Sequence, residues 1–235
     1  MSLFGRFLSR APALSDNQMR RLAALPIPIP LGATPLEAQE WAVVDVEATG
    51  LQVNKDQLLA IGAVALAGQV IPLGQCFECT LAASWSKPGP SVLIHGLSPS
   101  AVARGVPPAE ALLAFLEWVR GRPLLAFHAG FDQGMLNRAI KLTLGVQWEA
   151  PFVDVAEVAP LLCPELAARN HSLDDWASQF GLQTAERHNA SADALLTAEL
   201  ALVLFSMARR QGLGTSAALI EALARWRRLK SQPRM

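Results

Sequence analysis

The chain has 235 residues, 51% of them apolar, with 20 Lys+Arg against 20 Asp+Glu and a formal net charge of zero. That composition, with no uninterrupted apolar run approaching about 18 residues, excludes a collagenous chain, an intrinsically disordered one and a membrane-spanning helix. The zero is a sum of unlike parts: residues 1–35 carry a net +3 and residues 206–235 a net +6, while residues 36–205, with 9 basic and 18 acidic side chains, carry −9.

Residues 1–25 read as either a short basic amphipathic helix or a loose arm. Pro26, Pro28, Pro30 and Pro35 then force an extended linker. Trp41–Val46 is a Val-rich apolar run that predicts a buried strand. Gln57–Leu66 and Val70–Leu81 predict two more, with turns or bulges at Gly68 and Gly74, so the first three strands form an antiparallel meander. The period then changes. Helices are predicted over Ser98–Arg104 and Pro107–Arg120, the second opened by proline and apolar at Leu112, Leu113, Leu116 and Val119. A short strand at Pro123–His128 leads into a helix from about Phe131 to Leu144, stopped by Gly145. Ser172–Phe180 opens on a Ser172/Asp175 capping box and closes near Gly181. Long helices follow at Ala192–Arg210 and Thr215–Leu229. Strands first, then alternating helix and strand, point to an α/β fold with a mixed sheet and helices on its faces. The chain divides into a basic, Pro-rich extension (1–40), a central domain (41–205) and a basic helical extension (206–235).

Three cysteines cannot make a disulfide framework. Cys76 and Cys79 form a C-x-x-C, but Cys163 is distant and a tetrahedral zinc site wants four ligands. A strand would also turn the two thiols to opposite faces, so they read as ordinary strand residues. The N-terminus lacks an unbroken apolar core and a clear cleavage site for secretion, so a cytoplasmic protein with reduced thiols is expected.

Asp45 and Glu47 end the most apolar strand one residue apart, which places both on one face. Like charges there repel and lose solvation unless a cation lies between them. Thr49-Gly50 follows and turns the chain sharply. Asp132 falls at the start of one helix and Asp193 in the first turn of another, where each also suits the helix dipole. His188 precedes Asp193 by five residues in a polar loop. Four carboxylates from separate segments suit a pair of Mg²⁺ or Mn²⁺ ions, which take oxygen ligands, lower the pKa of an attacking water and stabilise a leaving oxygen. An imidazole nearby can accept the water's proton.

The segments 45–50 (Asp-Val-Glu-Ala-Thr-Gly), 127–132 (Phe-His-Ala-Gly-Phe-Asp) and 188–193 (His-Asn-Ala-Ser-Ala-Asp) resemble, in order and spacing, the three motifs of the DEDDh exonucleases. That family includes the proofreading epsilon subunit of bacterial DNA polymerase III, and the resemblance covers residues 40–205. It implies a ribonuclease-H-like fold, a five-stranded mixed sheet flanked by helices, with the terminal helical extensions added to it. It further implies that Asp45, Glu47, Asp132 and Asp193 hold two divalent metals, Mg²⁺ or Mn²⁺, with His188 as general base. Thr49 and Gly50 would lie against the 3′-terminal nucleotide through the turn backbone, with Leu51 beside the terminal base. His95, in a His-Gly-Leu element, and Phe131 would line the substrate groove. The sister group with a motif-three tyrosine is excluded, because the chain contains none.

Two departures stand out. Ala48 replaces a common Thr, and the motif-two His sits one position late, at His128, where Asn is usual. The implied activity is 3′→5′ hydrolysis of single-stranded ends, DNA favoured over RNA, with a DNA polymerase subunit as a further implied partner and no membrane. The alternatives are an RNA-trimming enzyme of the same superfamily or a polymerase-associated binding module. The tail after residue 205 holds no convincing clamp-binding pentapeptide. Arg225, Arg227, Arg228 and Lys230 around Trp226 could hold phosphates. Equally, Leu219, Leu223 and Trp226 have the spacing of a stripe packed on the body.

Overall fold

The computed structural model describes residues 14–83, 97–169, 172–183 and 189–231. A five-stranded sheet runs through its centre: β1 (Trp41–Ala48), β2 (Leu58–Leu66), β3 (Cys76–Thr80), β4 (Leu124–Ala126) and β5 (Phe152–Asp154), in the order β3-β2-β1-β4-β5. β1, β2 and β3 pair antiparallel as the meander expected, and β4 and β5 add in parallel on the other side of β1. The mixed sheet with helices on both faces is the predicted class.

β1 and β2 are central because they are apolar on both faces, as strands covered on two sides must be. Period two sorts their side chains into two cores. Ala42, Val44 and Val46 of β1 and Ile61 and Ala63 of β2 pack against α3 (Pro108–Val119) and α4 (Ala129–Leu144) through residues such as Phe115, Leu136 and Ile140. Trp41 and Val43 of β1 and Val64 and Leu66 of β2 face the opposite layer, α5 (Val155–Leu162), α6 (Leu173–Gln179), α7 (Ala190–Arg210) and α8 (Ser216–Ser231). By length and composition α7 could cross a membrane, which scanning for uninterrupted apolar runs did not reveal. Its Leu196, Leu200 and Leu204 are buried against the sheet and it carries Asp193, so here it is a core helix.

Local chemistry sets the boundaries. Ser172 and Asp175 form the reciprocal capping box of α6, and α4 ends at Gly145 in the left-handed region (φ 71°). α7 begins at Ala190, two residues before the predicted start, because the Asn189 side chain accepts from the N–H groups of Ser191 and Ala192. α2 (Pro99–Ala103) is capped by Ser98. β3 is shorter than predicted: Val70 folds back onto Ala67 through a turn with positive φ at Gly68 and Gln69, and Pro72 follows before pairing resumes at Cys76. β5 and α5 had no sequence signal, since three residues show no period and Pro160 sits inside the helix. The thiols of Cys76, Cys79 and Cys163 are free.

From residue 14 onward the N-terminal extension is docked. α1 (Asp16–Ala23) carries a Ser15/Gln18 capping box, buries Leu22 and pairs Arg21 with Glu110 and Glu117 of α3. The proline segment then runs as a strap: Ile29 N–H donates to Gly121 O (2.7 Å), Leu36 N–H to Gly214 O (2.9 Å), and Ala217 N–H to Gly32 O (2.9 Å). It thereby ties the start of α8 to the body, while Leu219 and Leu223 bury the same helix from the other side.

The fully buried Ser216 hydroxyl accepts from Gly32 N–H and donates to Gly32 O, each at 3.0 Å. Ser216→Ala takes the acceptor from Gly32 N–H and leaves Gly32 O with the Ala217 N–H alone. It is expected to lower unfolding free energy by about 1–3 kcal/mol in a denaturant titration.

Candidate active site

Asp45 and Glu47 share the face of β1 that carries Trp41 and Val43, the face that α7 covers. What brings α7 there is Gly62. It pairs with Asp45 across the β1–β2 ladder, and a Cβ built on it would lie 2.2 Å from Ala190 C and Ser191 N. No side chain fits that gap. The helix N-terminus therefore sits on the sheet backbone beside Asp45, with Asp193 in its first turn and 7% exposed.

Asp132 arrives from the other layer, in the first turn of α4. The parallel β1–β4 register ends at Val43 and Leu125. Beyond it, Val46 N–H donates to Asp132 Oδ1 at 3.1 Å, which fixes this carboxylate on the strand between Asp45 and Glu47. Asp132 is 3% exposed, and burial, reinforced by the nearby Asp154 and Glu47 charges, holds its carboxyl well above the ordinary aspartate range. Burial alone pushes Glu47 up to about 7. Two helix N-termini and two strand acids thus meet at one end of β1.

Asp154, which carried no signal in the sequence, fixes the geometry of that corner. It ends β5 and caps α5, accepting from Ala156 N–H (3.0 Å) and from His128 N–H (2.9 Å). His128 is the N-cap of α4 and adopts the left-handed region (φ 62°, ψ 47°). His and Asn are among the few non-glycine residues enriched there, which accounts for a His where Asn is usual.

The turn after β1 is wound around Asp56, whose two carboxylate oxygens accept from Thr49 Oγ1 (2.9 Å) and Gln52 N–H (2.7 Å). Thr49 N–H donates to Gln57 O and its hydroxyl also accepts from Gln57 N–H. Leu51 projects from this turn, 86% exposed. Phe131 is half-buried against the α3–α4 core. His95 and His188 lie outside the described residues. The described ends of their two segments, Leu97 and Asn189, line one pocket together with Glu47.

Among the described residues no three His, Cys, Asp or Glu side chains close into a ready-made cation cage. The donor set itself suits hard divalent ions: four carboxylates, all oxygen, with the proton affinity of Glu47 and Asp132 raised by burial. Gly62, Asp56 and Asp154 are the residues that the sequence reading missed. A glycine inside an otherwise apolar, β-branched strand was the available signal for the first.

A family model described as an exonuclease (RNase_T) matches residues 42–201. A DNA polymerase III subunit epsilon-like protein of Rhodobacter capsulatus is 30% identical over 202 residues, which is 85% of this chain and 28% of that protein. The PolC-type DNA polymerase III of Bacillus subtilis is 29% identical over 182 residues, 76% of this chain and 12% of that protein. The chain thus spans little more than a quarter of the one and about an eighth of the other. Among solved structures, E. coli exonuclease I in complex with a dT13 oligonucleotide superposes with a TM-score of 0.64 at 17% identity, covering 74% of this chain and 42% of that one. Exonuclease I from Methylocaldum szegediense gives 0.61 at 20%, covering 74% and 41%. These structures share the fold.

The raised Glu47 carboxyl has a consequence with a defined sign. The folded protein holds a proton there up to about 7, whereas the unfolded chain releases it near 4.5. Without metal, the Glu47 contribution to stability therefore declines as pH rises between those values. A bound divalent cation displaces that proton, so its stabilising effect should grow over the same window. Melting temperatures with EDTA and with Mg²⁺ at about pH 5 and pH 8 check this; an equal metal increment at both contradicts it.

Proposed function

The chain belongs to the exonuclease family, and on that premise we propose that it is a metal-dependent 3′→5′ exonuclease releasing nucleoside monophosphates from single-stranded ends, DNA in preference to RNA. The observation that carries the reading is the convergence of the first turns of α4 and α7, with Asp132 and Asp193, on the strand end bearing Asp45 and Glu47.

In this reading those four carboxylates hold two divalent ions, Mg²⁺ or Mn²⁺. When bound, the ions supply Lewis acidity toward the scissile phosphate and its attacking water. The remaining work belongs to the chain. The carboxylates would ligate in their ionised form. Gly62 sets the depth at which Asp193 is presented, and Asp132 is held in place by the Val46 amide. His188, immediately before the α7 cap Asn189, takes the proton of the attacking water on its imidazole. Thr49 spends its N–H and hydroxyl inside the turn, so the terminal nucleotide meets Gly50 and the exposed Leu51, with His95 and Phe131 along the groove.

The preference for DNA is supported by the relatives' names, DNA polymerase III epsilon-like and PolC-type, and by the neighbour bound to dT13. The same names support a DNA polymerase as a protein partner; replication or repair in the cytoplasm is the setting that this reading carries.

The test is incubation of labelled single-stranded DNA and RNA with Mg²⁺ or Mn²⁺. Monophosphate release from DNA, abolished by EDTA, is expected; release from neither polymer by folded protein ends the reading, and release from RNA alone reassigns the substrate. Asp193→Ala should abolish release with the circular dichroism spectrum retained. His188→Ala should lower turnover by about 10²–10⁴-fold while leaving metal binding measured by calorimetry nearly intact.

A further inference from the structure

α8 lies beyond the family-matched residues and forms one wall of an open groove. The groove begins at His128 and Asp154, the corner that holds the N-terminus of α4 and hence Asp132, and runs between α5, α6 and α8. Its floor includes Trp176, buried and stacked on Phe180 at 14°. On the α8 wall stand the half-buried Trp226 and the exposed Lys230, whose Nζ lies 4.0 Å from the indole centroid.

The charges along this groove are arranged so that its acids are already occupied. Glu157 accepts from Arg227, and Asp154 is turned into two backbone N–H groups. Over Ser216–Ser231 the helix carries Arg225, Arg227, Arg228 and Lys230 against Glu221 alone. With Arg225 3.8 Å from Glu221 and Arg227 on Glu157, the cations of this helix without an acid partner among the described residues are Arg228 and Lys230. Lys230 lies with Trp226 on the groove, a cation and an indole of the kind that single-stranded nucleic acid uses for phosphate neutralisation and stacking. The fully buried anchors of the helix are Ser216, Leu219 and Leu223, while Trp226 is half-buried.

We propose that the α5–α6–α8 groove is a second nucleic-acid subsite, which takes the single-stranded DNA 5′ of the terminus under hydrolysis, with bases against Trp226 and phosphates at Lys230. This rests on the exonuclease reading for its direction. Leu219 and Leu223 of the expected stripe are buried and Trp226 is half-buried; in this proposal Trp226 also serves the nucleic-acid face, together with Lys230.

Equilibrium binding by the full chain, followed by fluorescence anisotropy in EDTA with 5′-labelled dT12 and dT3, tests it without any cleavage. Wild-type protein should bind dT12 more tightly than dT3. Trp226→Ala should weaken dT12 binding about tenfold. Lys230→Gln should weaken it several-fold and lower the slope of log K against log salt by about one. Lys230 is exposed and outside the core, so this variant stays informative even if Trp226→Ala fails to fold. Unchanged dT12 affinity and salt slope in folded variants would overturn the groove. Failure of the wild-type protein to release monophosphates overturns the exonuclease reading separately, since binding is measured without metal.

Discussion

Everything at this site depends on one close approach, the backbone of α7 lying on the backbone of β2 at Gly62. A helix normally stands off a sheet by the thickness of two side-chain layers. Here the missing Cβ lets Ala190 and Ser191 descend to the strand, opposite Asp45. That places the first turn of α7, with Asp193, at the strand end where Asp45 and Glu47 already point. The same descent aligns Asn189 as the cap and brings the Ser191 hydroxyl to Glu78 Oε2 on β3 (2.9 Å), so the helix is pinned laterally as well as in depth. An alanine at position 62 would not merely add a methyl group; it would push the first turn of α7, and Asp193 with it, off the strand.

The second constraint is electrostatic and works against the first. Bringing carboxylates together under cover is unfavourable, and Glu47 and Asp132 register it as raised proton affinity. The fold offsets part of this with oriented N–H groups: the Val46 amide on Asp132, and the helix N-termini of α4 and α7. These favour negative charge without neutralising it. What remains is a demand for cations, and an all-oxygen donor set restricts which ones answer it. The acidic body and the site are thus linked: in the proposed reading, two divalent ions would return four positive charges to this region.

The three motifs were legible because each is a short, rigid juxtaposition of chemistry and backbone: acids on one face of an apolar strand, an acid in a first helical turn, an acid five residues after a histidine. The meander and most helices were legible from period and caps. β5 and α5 were not, since a three-residue strand has no period and Pro160 is a breaker by every local rule. Asp154 was hidden with them, and its role is tertiary, joining the α5 cap to the left-handed turn at His128. The depth of the site was invisible for a similar reason. Gly62 reads as a weakness in a strand until the element that fills its place is known.

The ends of the chain complete the physical picture of the charge partition. The proline strap and α8 hold each other: Gly32 is bonded to Ser216 and Ala217, and Leu36 to Gly214. Arg21 is absorbed by Glu110 and Glu117, and Arg209 by Glu37, so much of the terminal positive charge neutralises the surface of the acidic body. Arg227 does the same with Glu157. Arg225 lies near Glu221, and among the described residues of α8 Arg228 and Lys230 have no acid partner, Lys230 with Trp226 standing on the groove that reaches the corner built by Asp154 and His128. A protein with zero net charge thereby presents a cation-demanding acidic centre, with Trp226 and Lys230 on a neighbouring groove; in the proposed reading that asymmetry is what would guide a polyanion toward the site.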